Sequence, residues 1–506
     1  MRLFIFAIGG TGSRVLKSLV MLSAAGVKPL DEDGKPVPNL ELVPIIIDPH
    51  KSNEDLKRTE QMLNEYCTIR EKLYGREVNA DGFFATKICT LRSIMGMTAT
   101  PINDSFIFNM EAVGQTKFRQ FISYDTMNEP NQALASLLFA DYQLDNKMNI
   151  GFVGSPNIGS VALNMIKDSE EFKAFANVFG DGDRIFFISS IFGGTGAAGF
   201  PILVKNIRQA QNLDVSNKNF LRQAPIGGLT VLPYFNLNGS QGRRIDKADF
   251  VVKTQSALQY YNETLTGDAD RNVNAIFYLG DQTTSIPYDY DPGDIRDQHN
   301  PAHLVEMVGA LAVMKFAGMP DRQFLDGMGG FLPTKAFEYG LDKDLLDVDF
   351  ATFGQETRRL IYRPMVKFHM LFIYMRTALK AVIGQGYTQD EPKIRSEFTT
   401  TQFYRTLVDQ FFSFYTEWLS EMHQNVRHVE LFNVGENNFA SIIHNVLTKK
   451  GFFGRKSVDE NTFNSELNKL SRDNKKYSDR TVEYKLLDLF NQAAGNILDE
   501  KYENIN

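Results

Sequence analysis

Short apolar runs alternate along the chain with segments whose apolar residues recur at helical spacing. Almost wholly apolar runs of five or six residues predict buried strands, and they occupy residues 3–8, 42–47, 149–153, 184–189, 228–232 and 274–279. After the first run, residues 15–22 carry apolar side chains at the period of a helix. Strands that alternate with helices predict an α/β fold with a largely parallel, doubly wound sheet, whose ligand loops lie beyond the carboxyl ends of the strands.

The pattern changes after residue 298. Residues 299–318 predict a core helix that is apolar on most sides and buried between two domains, with Asn300 as its N-cap and Pro301 in its first turn. We therefore predict a first domain over 1–298, with a helical insertion at about 53–145. The core helix over 299–318 then leads into a second, mainly helical domain over 319–432 and a polar helical tail over 433–506.

Composition narrows the class of protein. The chain has 506 residues, of which 43% are apolar and 23% charged, as in an ordinary soluble globular protein. A net charge of −7 without a basic block argues against nucleic acid as a partner. Two cysteines fit a reducing compartment, so we expect a cytoplasmic protein. The apolar stretch over 364–384 contains four basic or histidine side chains, so it predicts a core helix rather than a membrane span.

Glycine-containing turns follow several of the predicted strands. Residues 9–14 read GGTGSR, 154–159 read GSPNIG and 192–199 read FGGTGAAG, and each stands between a predicted strand and a helix. Glycine lets the backbone approach a phosphate closely, and the first turn of a helix offers unpaired N–H groups. One such turn is also typical of an ordinary strand–helix connection, whereas several at one sheet edge suit a polyphosphate. Asp48 ends the second strand, where it can hold Mg²⁺ directly or through water, accept a ribose hydroxyl, or cap the turn at Pro49.

The ordered set of turns resembles the tubulin/FtsZ family of GTP-binding proteins. The segment FGGTGAAGFP is similar to the family's glycine-rich signature, with Phe192 in place of its first glycine, and GGTGSR is similar to the first phosphate loop. Further loops of the family are similar to three more segments: IIIDPHKSN over 45–53, GSPNIG, and LPYF with the following GRR. The resemblance covers residues 1–318 and implies a divergent, bacterial tubulin-like protein.

This resemblance implies GTP or GDP with Mg²⁺ as ligands, and head-to-tail self-assembly into nucleotide-dependent filaments with slow GTP hydrolysis. It assigns guanine recognition to Asn300 and magnesium to Asp48. The phosphate and base contacts that it implies come from three loops, namely Gly9, Gly10, Thr11, Gly12 and Ser13; Gly154, Ser155, Pro156 and Asn157; and Gly193, Gly194, Thr195 and Gly196.

The family's catalytic acid follows the central helix directly and acts on the nucleotide of the next subunit. The most similar segment here is DVDF over 347–350, which makes Asp347 and Asp349 the candidate catalytic residues. They lie about thirty residues beyond the predicted helix, so a structural role for these carboxylates stays open.

Three alternatives remain at this point. The chain can be a non-polymerising nucleotide-binding module that exchanges unidentified protein partners. It can also be an NAD-binding Rossmann enzyme, although Val15 occupies the third glycine position of that fingerprint. Finally, His299, His303 and Glu306 share one face of a helix at i, i+4 and i+7 and can form a metal site, whereas histidines engaged at a helix end are the commoner arrangement.

Overall fold

The computed structural model describes residues 1–50, 53–96, 102–110, 113, 116–149, 151–152, 155–234, 247–267, 271–281, 300–433, 435–451, 454–472 and 474–503. A seven-stranded sheet lies at its centre. The strands are β1 (Arg2–Ile8), β2 (Glu41–Ile47), β3 (Lys87–Ile88), β4 (Arg184–Ser190), β5 (Ile226–Val231), β6 (Ala275–Asp281) and β7 (Lys335–Leu341).

All seven strands are parallel, in the order β3–β2–β1–β4–β5–β6–β7. The chain extends the sheet in opposite directions from β1 and β4, so the carboxyl ends of these two strands form a topological switch point. Apart from Arg2 and Glu41 at their first positions, the residues of β1, β2, β4 and β5 are buried, as expected of parallel strands covered on both faces. The predicted α/β class with a doubly wound parallel sheet is confirmed.

Within the described ranges, twelve longer helices surround the sheet and continue beyond it. They are α1 (Gly9–Ala24), α2 (Glu54–Tyr74), α3 (Glu129–Leu138), α4 (Pro156–Asn164), α5 (Glu170–Val178), α6 (Gly194–Arg208), α7 (Lys247–Thr264), α8 (Leu304–Gly318), α9 (Gln355–Thr377), α10 (Phe412–Gln424), α11 (Glu460–Leu470) and α12 (Val482–Lys501). Shorter helices are Leu91–Ile94, Phe118–Phe121, Asp141–Leu144, Lys218–Gln223, Leu379–Val382 and Gln402–Tyr404, and a π-helical stretch, Arg405–Phe411, joins the last of these to α10. None of the described helices has the length and apolarity needed to cross a bilayer.

Two predictions about strands were wrong. The described residues of the segment 149–153, which are 149, 151 and 152, add no strand to the sheet and form only an isolated bridge between Asn149 and Gly151. Conversely, β7 follows the central helix, so the sheet continues beyond the predicted boundary at residue 318. Alternate residues of β7 are half-buried and exposed, which is the period of an edge strand with one covered face.

The central helix α8 runs antiparallel to the strands. It begins at Leu304 and not at the predicted Asn300, because His303 is the N-cap: its Nδ1 atom accepts from the backbone N–H of Val305 over 3.0 Å. At its other end, the guanidinium of Arg184, the first residue of β4, donates to the carbonyl oxygens of Phe316 and Met319 over 3.1 and 2.6 Å. The helix thus joins the carboxyl edge of the sheet to its amino edge.

The region after β7 is mainly helical, as predicted. Its strands are short: β8 (Asp347–Val348) pairs in parallel with β9 (His428–Val429), and β10 (Lys450–Gly451) pairs with β11 (Gly454–Arg455). The predicted polar tail is not simply a solvated segment, because Leu486 and Phe490 of α12 are fully buried. The division into two domains stays a prediction.

Candidate functional site

Three helices begin beside the switch point of the sheet. Helix α1 follows β1 directly, and α6 follows β4 after the turn at 191–193. The third, α4, packs against α6. These are the helices that the glycine-containing turns precede, so the structure brings the predicted phosphate loops to one edge of the sheet.

These three helix starts share two features that favour an anion. Their N-cap residues, Ile8, Ser155 and Gly193, make no side-chain cap to the first turn within the described part of the chain. None of the three first turns contains an acidic residue. By contrast, an acidic residue stands in the first turn of α2, α3, α5, α8, α9, α11 and α12, and all of these except α9 have a side-chain cap. The glycine-loop helices therefore leave positive backbone dipoles uncompensated.

Close contacts explain several of the glycines at α1 and α6. Gly9 has a φ of +72°, which favours glycine, and a Cβ atom built on it would lie in ordinary contact, 3.7 Å from Cβ of Thr195. A Cβ on Gly12 would lie 2.6 Å from the carbonyl carbon of Ala7, and one on Gly196 would lie 2.8 Å from the carbonyl oxygen of Ser190. Backbone can approach this closely only where the side chain is hydrogen. The first turns of α1 and α6 are thus neighbours, packed tightly onto the strands.

Helix α4 meets α6 in the same manner. A Cβ on Gly159 would lie 2.7 Å from the carbonyl oxygen of Gly194. Gln143 holds two side chains at the start of α4. Its Nε2 atom donates to Oγ of Ser155 over 3.2 Å and to Oδ1 of Asn157 over 3.3 Å. Pro156 is the first residue of α4, and Gly154 lies outside the described residues.

Part of this edge is accessible to a ligand. Gly10, Pro156, Gly193 and Thr195 are half-buried and Asn157 is exposed, whereas Gly9, Thr11, Gly12, Ser13, Ser155, Gly194 and Gly196 are buried. The hydroxyl of Thr11 accepts from Arg14 over 3.4 Å, and the hydroxyl of Ser13 donates to the carbonyl oxygen of Gly9 over 3.4 Å. A ligand would therefore meet backbone groups at Gly10 and Gly193, and polar side chains at Thr195 and Asn157.

Asp48 lies at the carboxyl end of β2 and is buried. Its Oδ1 atom accepts from the backbone N–H of His50 over 2.9 Å. Burial raises the pKa of Asp48 to about 6; the His50 hydrogen bond opposes this rise, and the nearby charge of Asp55 adds to it. A buried carboxylate beside a second carboxylate suits a hard cation such as Mg²⁺, which prefers oxygen ligands.

A buried ionic network lies behind the first turn of α1. The Nε atom of Arg14 donates to Oε1 of Glu306 over 2.7 Å, and its two terminal nitrogens donate to Asp55 over 3.2 Å and to the hydroxyl of Tyr234 over 2.7 Å. Burial opposes the charge of Arg14, yet these three neighbours raise the pKa of its guanidinium well above the ordinary value. Sequence reasoning assigned no role to Arg14, although a charged residue within an apolar helical pattern was a usable signal.

Asn300 belongs to the same network. Its Nδ2 atom donates to Oδ2 of Asp55 over 3.0 Å, and the side chain is buried. The predicted N-cap role of Asn300 is wrong, since His303 caps α8. The predicted contact with guanine stays a prediction, and it requires the amide to exchange Asp55 for the base.

The alternative metal site at the start of α8 is not supported. His299 lies outside the described residues, Nδ1 of His303 accepts from the backbone, and Glu306 is engaged by Arg14. Burial lowers the pKa of His303 to about 4, and the positive charges of Arg427 and Arg14 lower this pKa further. The carboxylate of Asp281 has the opposite effect on it, and the Oδ2 atom of Asp281 lies 3.7 Å from Nε2 of His303. Asp281 itself is bound by the guanidinium of Arg427 over 2.7 and 2.9 Å.

Asp347 and Asp349 lie apart from the three helix starts, in and beside β8. Asp349 caps a short turn: its Oδ1 atom accepts from the backbone N–H groups of Ala351 and Thr352 over 2.8 and 3.0 Å. This segment follows the carboxyl end of β7. By contrast, Asp321 lies just past α8 at the amino edge, where it pairs with Arg184 over 2.7 Å. The catalytic role of Asp347 and Asp349 stays a prediction.

No family model and no characterised relative matches the sequence. Similar solved structures include CetZ from Methanosaeta thermophila, a GTPγS-bound protofilament of CetZ2 from Haloferax volcanii and a GTPγS-form protofilament of TubZ from Bacillus thuringiensis serovar israelensis, each at 12% identity. Their TM-scores are 0.26, 0.25 and 0.22, and the matches cover 63%, 65% and 55% of this chain.

The matched part spans 52%, 60% and 47% of those three chains, so this chain corresponds to about half of their length. All three are tubulin-like proteins, the family that the glycine loops resemble. The nucleotide and the protofilaments of these structures are properties of those proteins.

Proposed function

We propose that this chain binds a nucleoside triphosphate at the carboxyl edge of its sheet, with the phosphates at the first turns of α1, α4 and α6. The observation that carries the proposal is the shared start of these helices, which have neither a side-chain cap nor an acidic first-turn residue. Three positive helix ends beside one another favour a ligand with several negative charges over a single small anion.

Among the residues that the structure describes, the cationic side chains behind this edge are already engaged. Arg14 binds Asp55 and Glu306, Lys17 binds Glu421 over 3.1 Å, and Arg58 binds Glu417 over 2.7 Å. Backbone N–H groups and a divalent cation would therefore balance the phosphate charge. Asp48 would hold Mg²⁺, directly or through water, and a bound Mg²⁺ would supply a fixed positive charge beside the phosphates.

The family resemblance of the ordered loops supports GTP as the nucleotide, with Asn300 as the residue that contacts guanine, and head-to-tail self-assembly with slow hydrolysis as the outcome. In such a stack, the amino edge of one copy faces the glycine loops of the next. Asp321 lies at that edge with 60% of its side chain exposed. We therefore add Asp321 to Asp347 and Asp349 as a candidate for the acid that acts on the neighbour's nucleotide.

The decisive experiment places a negative charge at the N-cap of α6. Gly193 has φ −85° and ψ 162°, a conformation that aspartate adopts readily. Aspartate is also a good N-cap, but a Cβ atom at this position would lie 3.0 Å from Oγ of Ser190, so Gly193→Asp and Gly193→Asn should have the same stability as each other. The same charge should repel a phosphate, so we expect at least about tenfold weaker binding of a fluorescent GTP analogue, measured by anisotropy.

Two variants serve as matched controls. Gly193→Asn has the same shape without the charge, so it should retain most of the affinity. Gly354→Asp places the same charge at the uncapped start of α9, where a Cβ atom has open space, and it should leave nucleotide binding unchanged. Equal binding by wild type and by Gly193→Asp would overturn the phosphate site.

The nucleotide is identified by denaturing the purified protein and analysing what it releases. Guanine nucleotide, together with GTP-dependent sedimentation of the pure protein, is the expected result. Binding of NAD without GTP would favour the Rossmann alternative. GTP binding by a protein that remains monomeric at every concentration would favour the non-polymerising module.

A further inference from the structure

A cluster of metal-ligating side chains lies outside the glycine-loop edge. It comprises His423 near the end of α10, His428 in β9 and Glu430 directly after β9. One ligand atom from each of the three residues lies within 4.8 Å of the others. All three side chains are half-buried, so an ion could enter from solvent and would still be enclosed by protein on several sides.

The backbone holds these residues in a defined arrangement. The ring centroids of His423 and His428 are 4.1 Å apart, with an interplanar angle of 52°. Nε2 of His428 lies 3.4 Å from Oε2 of Glu430, whose backbone N–H donates to the carbonyl oxygen of Val348 over 2.8 Å. The β8–β9 pairing thus fixes the two β9-side ligands relative to each other, and the end of α10 presents the third.

One nitrogen in the cluster has its bonding capacity unused. Nδ1 of His423 is buried and has no hydrogen-bond partner among the described residues. A buried polar nitrogen without a partner costs free energy, which a metal bond would offset. A neutral imidazole binds a metal through one nitrogen lone pair, so this histidine can still act as a ligand.

We propose that His423, His428 and Glu430 bind one divalent transition-metal ion of the zinc type. Two imidazole nitrogens and one carboxylate oxygen are a common zinc ligand set, with bonds of about 2.0–2.2 Å, and a fourth position remains for water or another ligand. Magnesium and calcium prefer an all-oxygen set and are disfavoured here. Ligand atoms as much as 4.8 Å apart must approach one another slightly, which side-chain rotation allows.

A further histidine supports the carboxylate. Nδ1 of His444 lies 3.4 Å from Oε2 of Glu430 and 2.8 Å from Oδ1 of Asn433. Such a neighbour orients a ligating carboxylate without itself binding the ion.

The position of the cluster indicates a structural role for the ion. His423 and His428 flank the connection that carries Arg427, which binds Asp281 at the carboxyl end of β6. Glu421, two residues before His423, binds Lys17 of α1 and accepts from the backbone N–H of Ala302 over 2.8 Å. An ion bound between α10 and β9 would therefore fix the segment that attaches the C-terminal region to α1 and β6.

The test uses the purified full chain, first stripped of metal with a chelator. Zn²⁺ is titrated in competition with a chromophoric chelator, and Co²⁺ is bound separately so that its visible absorption reports the coordination. We expect one equivalent of Zn²⁺, a Co²⁺ spectrum typical of nitrogen and oxygen ligands, and a rise in Tm on adding Zn²⁺. His423→Ala and His428→Ala should each weaken Zn²⁺ binding by at least about tenfold.

Two control variants separate the site from other causes. Gln424→Ala changes a neighbouring residue of the same helix end and should leave binding unchanged. Cys67→Ala/Cys89→Ala removes both thiols of the chain and should also retain the site. Absence of a one-equivalent Zn²⁺ site in wild type would overturn the proposal. Unchanged Zn²⁺ affinity and an unchanged Co²⁺ spectrum in His423→Ala/His428→Ala would also overturn it. If that double variant does not fold, the wild-type Co²⁺ spectrum decides, and a spectrum without nitrogen ligands overturns the proposal.

Discussion

The Nε atom of Arg14 donates to Oε1 of Glu306 over 2.7 Å, and both side chains are buried at the contact between α1 and α8. This pair joins the second turn of α1 to the first turn of α8, across 292 positions of the chain. The carboxylate also accepts from Tyr234 over 3.3 Å. The start of the central helix is thus tied electrostatically to the first glycine loop.

Removing one partner of this pair should destabilise the protein strongly. Arg14→Met leaves the buried Glu306 without its bound cation and leaves Asp55 with Arg58 alone, at 3.9 Å, so the free energy of unfolding should fall by about 3–5 kcal/mol. Arg14→Met/Glu306→Met should lose less than the sum of the two single variants, because neither side of the pair is then left unpaired. Urea denaturation measures both.

Arg322→Met is the matched control, since Arg322 pairs with Glu32 with 75% of its own side chain exposed. An exposed pair contributes about 0–1 kcal/mol. If Arg14→Met and Arg322→Met cost the same, the buried network has no special role in stability.

Asp48 should make stability depend on pH. Its pKa is raised from 3.8 to about 6, so the folded protein carries a cost for ionising it that the unfolded chain does not. Below about pH 4 Asp48 is protonated in both the folded and the unfolded state, so this cost is absent. The cost grows as the pH rises to about 6, and above that pH it has its full value. Asp48→Asn should therefore gain about 2–3 kcal/mol above pH 6 and almost nothing at pH 4.

Urea denaturation between pH 4 and pH 8, without divalent cations, tests this dependence. Asp214→Asn changes an exposed aspartate and should have little effect at any pH in this range. A constant difference between wild type and Asp48→Asn across the range would contradict the prediction. Added Mg²⁺ should reduce the difference at pH 7 if Asp48 binds it.

The contact between α4 and α6 should not accept a methyl group. In Gly159→Ala the new Cβ would lie 2.7 Å from the carbonyl oxygen of Gly194 and 2.9 Å from Cβ of Ala198, so we expect a loss of about 1–3 kcal/mol. Gly340→Ala adds the same group in open space on β7 and should be neutral or slightly stabilising. Thermal unfolding compares the two, and equal Tm values would show that the helices separate freely.

The candidate acids can be distinguished by phosphate release from assembled protein. For head-to-tail stacking we expect Asp321→Asn to slow GTP-dependent release by about tenfold or more, because Asp321 lies at the edge opposite the glycine loops. Asp349→Ala should instead lower stability by about 1 kcal/mol, because it removes a cap that two backbone N–H groups share. If the variant at Asp349 slows phosphate release more than the variant at Asp321 does, the DVDF segment is favoured as the source of the acid.

Local patterns were sufficient to predict most of the sheet. The apolar runs at β1, β2, β4, β5 and β6 were located to within two residues, because a strand buried on both faces must be apolar throughout. β3 has only two residues and leaves no pattern. β7 was missed because it is an edge strand: half-buried positions such as Lys335 and Phe337 alternate with exposed ones such as Glu338. This alternation is a weaker signal than the unbroken apolar run of a buried strand.

The neighbourhood of the site was less predictable. The glycine loops could be found because glycine in a strand–helix turn has few physical causes. The bond between Arg14 and Glu306 could not, because nothing local to either residue indicates a partner so distant in the chain. Asn300 followed by Pro301 has the sequence of a helix start, yet Asn300 is bound to Asp55 and the next cap, His303, begins the helix.

The tight contacts at Gly12, Gly159 and Gly196 have a consequence for how related sequences will vary. Each of these positions excludes even a methyl group because backbone or Cβ atoms lie too close, whether or not a ligand ever binds nearby. Selection for folding alone would keep them invariant. A record of selection by the ligand must therefore be sought at Gly10 and Thr195, which are half-buried and lie at the accessible part of the edge, because a Cβ atom on Gly193 would already lie 3.0 Å from Oγ of Ser190.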